Sequence, residues 1–310
     1  MAQIGNDRPR LGKSMAHLIL LYNRVFRAKR LKSHSMNKYI HTFAVVLVGL
    51  SLTLFAGYLA LAQAKAGTAE LTVAAAADLS SALKEIADRY ESKTGTKLKL
   101  SFGASGALTQ QIQNDAPFDA FLSADSNYPK QLIQSGKAEP DLYLYAIGRL
   151  VLWVPADSPL DLQRQGMNAL LDSSVKKIAI ANPQHAPYGK AAMAALEHFK
   201  LYDKIKDRLV LGENVSQAAQ FVESGNAQAG FVALAHALAP GMDKKGKYWI
   251  IPAESYPAME QSAVVLSHSQ HKKEATDFLK YIESPEIIEL LTRYGFAQPV
   301  VAQSMSHGDH

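Results

Sequence analysis

Residues 71–83 read LTVAAAADLSSAL. A β-prone run at 70–75 (ELTVAA) passes directly into Leu79, Ala82, Leu83, Ile86 and Tyr90, which recur at helical spacing. Thr94-Gly95 closes that helix, glycine being the common terminator. Between strand and helix stand Ala76, Ala77 and Asp78, a link with little bulk and no catalytic pair. Read outward from this unit, the alternation continues. Residues 97–102 (KLKLSF) alternate as a half-buried strand, and Leu108 and Ile112 mark a short helix. Residues 118–123 (FDAFLS) form a third strand, followed by a helix from about 128 to 135. Alternating β and α units predict an α/β fold, with mostly parallel sheets flanked by helices.

The second half repeats the style at no fixed period. Residues 146–155 (AIGRLVLWVP) read as one long strand, 177–181 (KIAIA) as a buried one, and 188–200 as a helix. After 209–211, Asn214 is a good N-cap for a helix over 215–223, which 224–226 (SGN) stops. Strands are predicted at 230–234, 248–252 and 263–267, then helices over 273–282 and 285–294. A chain of 310 residues is long enough for two domains, yet no flexible linker divides it. Two extended crossings between lobes, near residues 145–149 and 256–257, account for that. They put a ligand in the cleft and a hinge around it.

Three loops carry the chemistry: 74–80 (AAAADLS), 101–108 (SFGASGAL) and 180–189 (IANPQHAPYG). Each follows a strand and opens a helix. A helix N-terminus offers unpaired N–H groups and a partial positive charge, so several facing one point bind an anion without a cationic side chain. Asp78 is read as a cap accepting from the N–H of Ser80 or Ser81. A carboxylate is an awkward neighbour for an anion unless it faces its own helix or is protonated and donates. Ser105 caps the second helix or, with the N–H groups around Gly106, donates to an oxyanion in a nest. Tyr188 packs through its ring, or contributes its backbone N–H just after Pro187; Val215 offers its backbone N–H just after Asn214. A serine hydrolase has little support, since no G-x-S-x-G surrounds Ser105 and His185 lies in a distant loop. His268 and His271, or His307, Asp309 and His310, lack the paired spacing of a metal site.

Charge is unevenly placed. Residues 1–66 hold ten Lys/Arg and one acid, while the other 244 hold 23 Lys/Arg and 27 Asp/Glu, a formal charge of −4. The basic excess thus belongs to the N-terminus, and nothing in the remainder argues for nucleic acid. Residues 1–35 form a basic extension ahead of Met36, a natural alternative start. Residues 36–66 read as a signal peptide, with Lys38, the apolar run 43–62 and A-x-A sites at 62–66 in the expected order. The run is also long enough to act as an uncleaved anchor. The absence of cysteine excludes disulfides, thiol catalysis and a lipid-modified cysteine.

Taken together, 71–83, 101–108, 116–125 (APFDAFLSAD), 145–153 (YAIGRLVLW), 178–189, 230–234 (GFVAL) and Arg293-Tyr294-Gly295-Phe296 resemble the periplasmic molybdate-binding proteins of ABC transporters. The resemblance implies the two-lobed periplasmic-binding-protein fold with the ligand in the interlobe cleft. Lobe I would take 67–147 and 257–297, lobe II 148–256, leaving 298–310 as a flexible tail. It implies molybdate or tungstate held by neutral donors, a membrane permease as partner, a monomer and no cofactor. The family's anion-binding positions fall on Asp78, Ser105, Tyr188 and Val215. A tyrosine donor found in some members is Ala233 here. Asp78 departs from the usual Ser, Thr or Asn.

Overall fold

The computed structural model describes residues 70–299. The extension at 1–35, the signal or anchor segment at 36–66 and nearly all of the 298–310 tail lie outside the described residues. The described chain falls within one compact unit, Thr68–His310.

The strands are β1 (Glu70–Ala76), β2 (Lys97–Gly103), β3 (Ala120–Ser123), β4 (Tyr143–Gly148), β5 (Leu150–Pro155), β6 (Ile178–Ala181), β7 (Leu209–Gly212), β8 (Ala229–Ala233), β9 (Gly246–Ile250) and β10 (Met259–Val265). They form two five-stranded sheets, ordered β2-β1-β3-β10-β4 and β7-β6-β8-β5-β9. The longer helices are α1 (Ala82–Thr94), α2 (Ser105–Gln113), α3 (Asn127–Gln134), α4 (Pro187–His198), α5 (Val215–Glu223), α6 (Lys272–Ile282) and α7 (Pro285–Arg293).

The two sheets follow one plan. A central strand, β1 or β6, has parallel neighbours on both sides. Beyond them an antiparallel strand arrives from the other half of the chain: β10 between β3 and β4, β5 between β8 and β9. Each sheet is therefore mixed. The βα alternation accounts for the parallel strands. Strands β5 and β10 arrive from the other sheet without a crossover helix, so no βαβ geometry holds them parallel.

β1 shows why small residues dominate the first loop. Ala74, Ala75 and Ala76 are buried, as a central strand covered on both faces requires. The stripe predicted on α1 is buried as expected: Ala82, Leu83, Ile86 and Tyr90. The helix starts later than the stripe suggests, because Leu79 sits in a separate 3₁₀ turn, Ala77–Leu79. Gly95, at φ 77°, ends α1 by donating its N–H to the Glu91 carbonyl at 2.8 Å.

The long strand expected at 146–155 is two strands. β4 ends at Gly148 in one sheet and β5 begins at Leu150 in the other, with Arg149 alone between them. The chain returns between Ile250 and Met259. Both expected crossings lie on these segments. They are tied together where the Leu150 N–H donates to Tyr256 Oη at 3.1 Å. The last strand starts earlier than the apolar 263–267 suggests, since it opens at Met259 and runs through the polar Glu260, Gln261 and Ser262.

Candidate anion-binding site

Gly103 and Ala104 lead from β2 into α2, which begins at Ser105. Ala186 and Pro187 lead into α4, with Pro187 in the first turn, where a missing N–H costs nothing. Asn214 caps α5 by accepting from the Gln217 N–H at 3.1 Å. That leaves the amides of Ser105, Tyr188 and Val215 in first turns, where no carbonyl precedes them within the helix. The three N-termini bring their partial positive charge to one small cavity.

That cavity is lined by residues 76–78, 103–105, 124, 186–188 and 214–215. All four residues singled out in the sequence, Asp78, Ser105, Tyr188 and Val215, are on its wall. Its volume is about 10 Å³, far below the roughly 300–1,000 Å³ of organic-ligand sites and about the room of one water molecule. A larger hollow of about 490 Å³ around Pro155, Leu160 and Glu223 includes none of these loops.

Ser105 is buried, and its Oγ accepts from the Ala124 N–H at 3.0 Å. With an acceptor lone pair so engaged, the hydroxyl proton remains for donation. Two sequence expectations about this loop change. The Gly106 N–H does not serve the cavity; it donates to the His185 carbonyl at 2.8 Å. His185 is thus close to Ser105 in space, though the bond uses its main chain. Glycine is needed at 106, since a Cβ there would lie 2.7 Å from Tyr128 Oη and 2.8 Å from the His185 oxygen. A second bond joins the same halves: Ser216 Oγ donates to the Ala77 carbonyl at 3.0 Å.

The expected cap at Asp78 is not formed. The Ser80 N–H donates instead to the Ala77 carbonyl at 3.1 Å. The Asp78 carboxyl turns inward, 4% exposed, and Oδ2 accepts from Gln261 Nε2. Gln261 is fully buried, and its Oε1 accepts from Tyr145 Oη at 3.2 Å. The Tyr188 phenol faces the same carboxyl, so its ring does more than pack. Gly148 admits this cluster, since a Cβ there would lie 2.7 Å from Tyr188 Oη and 2.8 Å from Gln261 Nε2. Asp78 Oδ1 has no hydrogen-bond partner among the described residues. Burial pushes the Asp78 carboxyl up from 3.8 to about 6, against the opposing pull of Gln261, the Tyr188 phenol and the backbone N–H groups of Asp78 and Leu79. Burial, with the nearby Asp78 charge, holds both Tyr145 and Tyr188 well above the usual phenol range, so both stay neutral.

The residues missed in the sequence are Ala124, Tyr145 and Gln261, which act through long-range pairings. The polar Glu260-Gln261-Ser262 run ahead of the apolar end of β10 is the one local signal of Gln261. Ala233 is buried at the end of β8, paired with Leu150, and is not among the cavity residues.

Comparison with known proteins agrees with this geometry. Residues 71–297 match the family described as bacterial extracellular solute-binding protein. The molybdate-binding protein ModA of Azotobacter vinelandii is 38% identical over 248 residues, covering 80% of this chain and 96% of that protein. ModA of Rhodobacter capsulatus is 35% identical over 232 residues, covering 74% and 89%. The solved structure of the Azotobacter vinelandii periplasmic molybdate-binding protein superposes with a TM-score of 0.69 at 35% identity, covering 74% of this chain and 99% of that one. The two mixed sheets, the small cavity at their loops and these similarities together show that the chain belongs to the bacterial extracellular solute-binding proteins.

Proposed function

We propose that this chain captures molybdate, or the nearly isosteric tungstate, outside the cytoplasmic membrane and delivers it to the permease of an ABC transporter. One observation carries the reading: Asp78, Ser105, Tyr188 and Val215 meet at one small cavity where three helix N-termini converge. The likeness to the molybdate-binding proteins names the ion. In this reading the Ser105 hydroxyl and the amides of Tyr188 and Val215 donate to the oxyanion, and molybdenum is reached only through its oxygens. Lobe I comprises 67–147 and 257–297, lobe II 148–256, and they close on the ligand. The protein acts as a monomer, is exported or anchored by 36–66, uses no cofactor and catalyses no reaction.

A hydrogen bond to a charged group contributes about 1.5–3 kcal/mol. Four to six of them approach the roughly 12 kcal/mol of a nanomolar site, although such terms do not add simply. Neutral donors suit a carrier, because they bind a dianion without a buried cation that would resist release. Sulfate has the same charge but shorter bonds, and in this cavity it would leave donors unmatched, which is costly. A calorimetric competition series with molybdate, tungstate, sulfate and phosphate tests the reading. Molybdate and tungstate are expected to bind tightly and displace the others. Equal or tighter binding of sulfate or phosphate would move the protein to a different oxyanion class.

A further inference from the structure

Asp78 stands on the wall of the anion cavity as an acid, where neutral donors surround it. Oδ2 is occupied by the Gln261 amide, while Oδ1 has no partner at full hydrogen-bond geometry among the described residues. An ionised carboxylate and a fully ionised oxyanion are both acceptors only. They cannot hydrogen-bond to each other unless one carries a proton. Among the described residues no cation faces the carboxyl. Facing the carboxyl are the Tyr188 phenol from α4, the Tyr145 phenol from β4 and the neutral Gln261 amide from β10, with Tyr256 behind Tyr188. The 3₁₀ turn bearing Asp78 also packs against α5 and the short helix Leu234–Ala237. Their titratable side chains, Glu223 and His236, pair with each other at 3.0 Å.

From this geometry we infer that Asp78 binds the oxyanion as a neutral acid, its free carboxyl oxygen carrying a proton and donating to the ligand, so that capture takes up one proton from solvent. Asp78 is thereby a coupling residue as well as a donor. The inference rests on the oxyanion-binding function proposed above. A second negative charge in the cavity raises the proton affinity of an adjacent carboxyl further. The starting point favours this, since burial, partly offset by hydrogen bonds, already brings Asp78 to about 6.

The test is molybdate titration of the purified protein at pH 8 in buffers of differing ionisation enthalpy, combined with affinity measured from pH 6 to 8. Molybdate stays fully ionised over that range. The expected result is uptake of close to one proton per molybdate, and affinity falling about 50-fold between pH 6 and pH 8. In Asp78→Asn the proton uptake and the pH dependence both disappear. Molybdate binding with no proton uptake in the native protein overturns the inference and leaves the molybdate reading standing. Uptake that persists unchanged in Asp78→Asn also overturns it. No molybdate binding at any pH removes the functional reading, and this inference with it. Should Asp78→Asn not fold, the native buffer series and pH profile decide alone: a flat profile contradicts the inference.

Discussion

At the scale of single residues, Asp78 sets the chemistry. A −1 and a −2 charge about 4 Å apart, at an effective permittivity of about 20, repel by roughly 8 kcal/mol, comparable to most of a tight binding energy. A charged Asp78 and a bound dianion are therefore poor companions. The same residue has a consequence for the empty protein. Its carboxyl is near 6 in the fold against an ordinary 3.8. Between those values the folded protein keeps a proton that the unfolded chain releases, so Asp78's contribution to stability falls as pH rises through that window. The full cost, about 3 kcal/mol, stands above pH 6. Asp78→Asn should therefore stabilise the ligand-free protein by about that amount at pH 8 and by much less at pH 4, as read from urea unfolding at both. Ser105→Ala should leave the fold intact and weaken molybdate about 10- to 100-fold by calorimetry, because one charge-assisted donor is lost.

At the scale of elements, the site depends on first turns held in place. Asn214 fixes the start of α5 through Gln217. Asn214→Ala should cost about 1 kcal/mol in urea unfolding and weaken molybdate several-fold, as the turn presenting the Val215 amide frays. Gly106→Ala should weaken binding more, since its Cβ would press on the His185 oxygen that joins the two halves. Local sequence made much of this readable. The stripe of α1, the Asn214 cap and the Pro187 start follow from spacing and residue type alone. The break at Arg149 did not, because both of its flanks are apolar and β-prone; only the two sheets they join distinguish them. Asp78 looked like a cap because acids favour helix starts. Its real partner, Gln261, is distant in sequence, and no local pattern reports such a pairing.

At the scale of the whole molecule, the likeness of the two sheets explains why one cavity receives loops from both. β1 and β2 deliver Asp78 and Ser105, while β6 and β7 deliver Tyr188 and Val215. The bonds Gly106–His185 and Ser216–Ala77 bridge the halves beside the cavity, so in the proposed cycle release requires both to break. Ligand and closure should then stabilise each other. At molybdate about 1,000-fold above its Kd the gain is about 4 kcal/mol, which for a unit of this size raises Tm by roughly 8–16 °C in scanning calorimetry. Sulfate at the same concentration should give little shift.

The most direct check on the central claim is to locate molybdenum itself. Crystals grown with molybdate, measured across the molybdenum absorption edge, should show one anomalous peak in the cavity between Asp78, Ser105, Tyr188 and Val215, with ligand oxygens in hydrogen-bond reach of the Ser105 hydroxyl and the Tyr188 and Val215 amides. A fully occupied peak elsewhere, or an empty cavity at saturating molybdate, would contradict it.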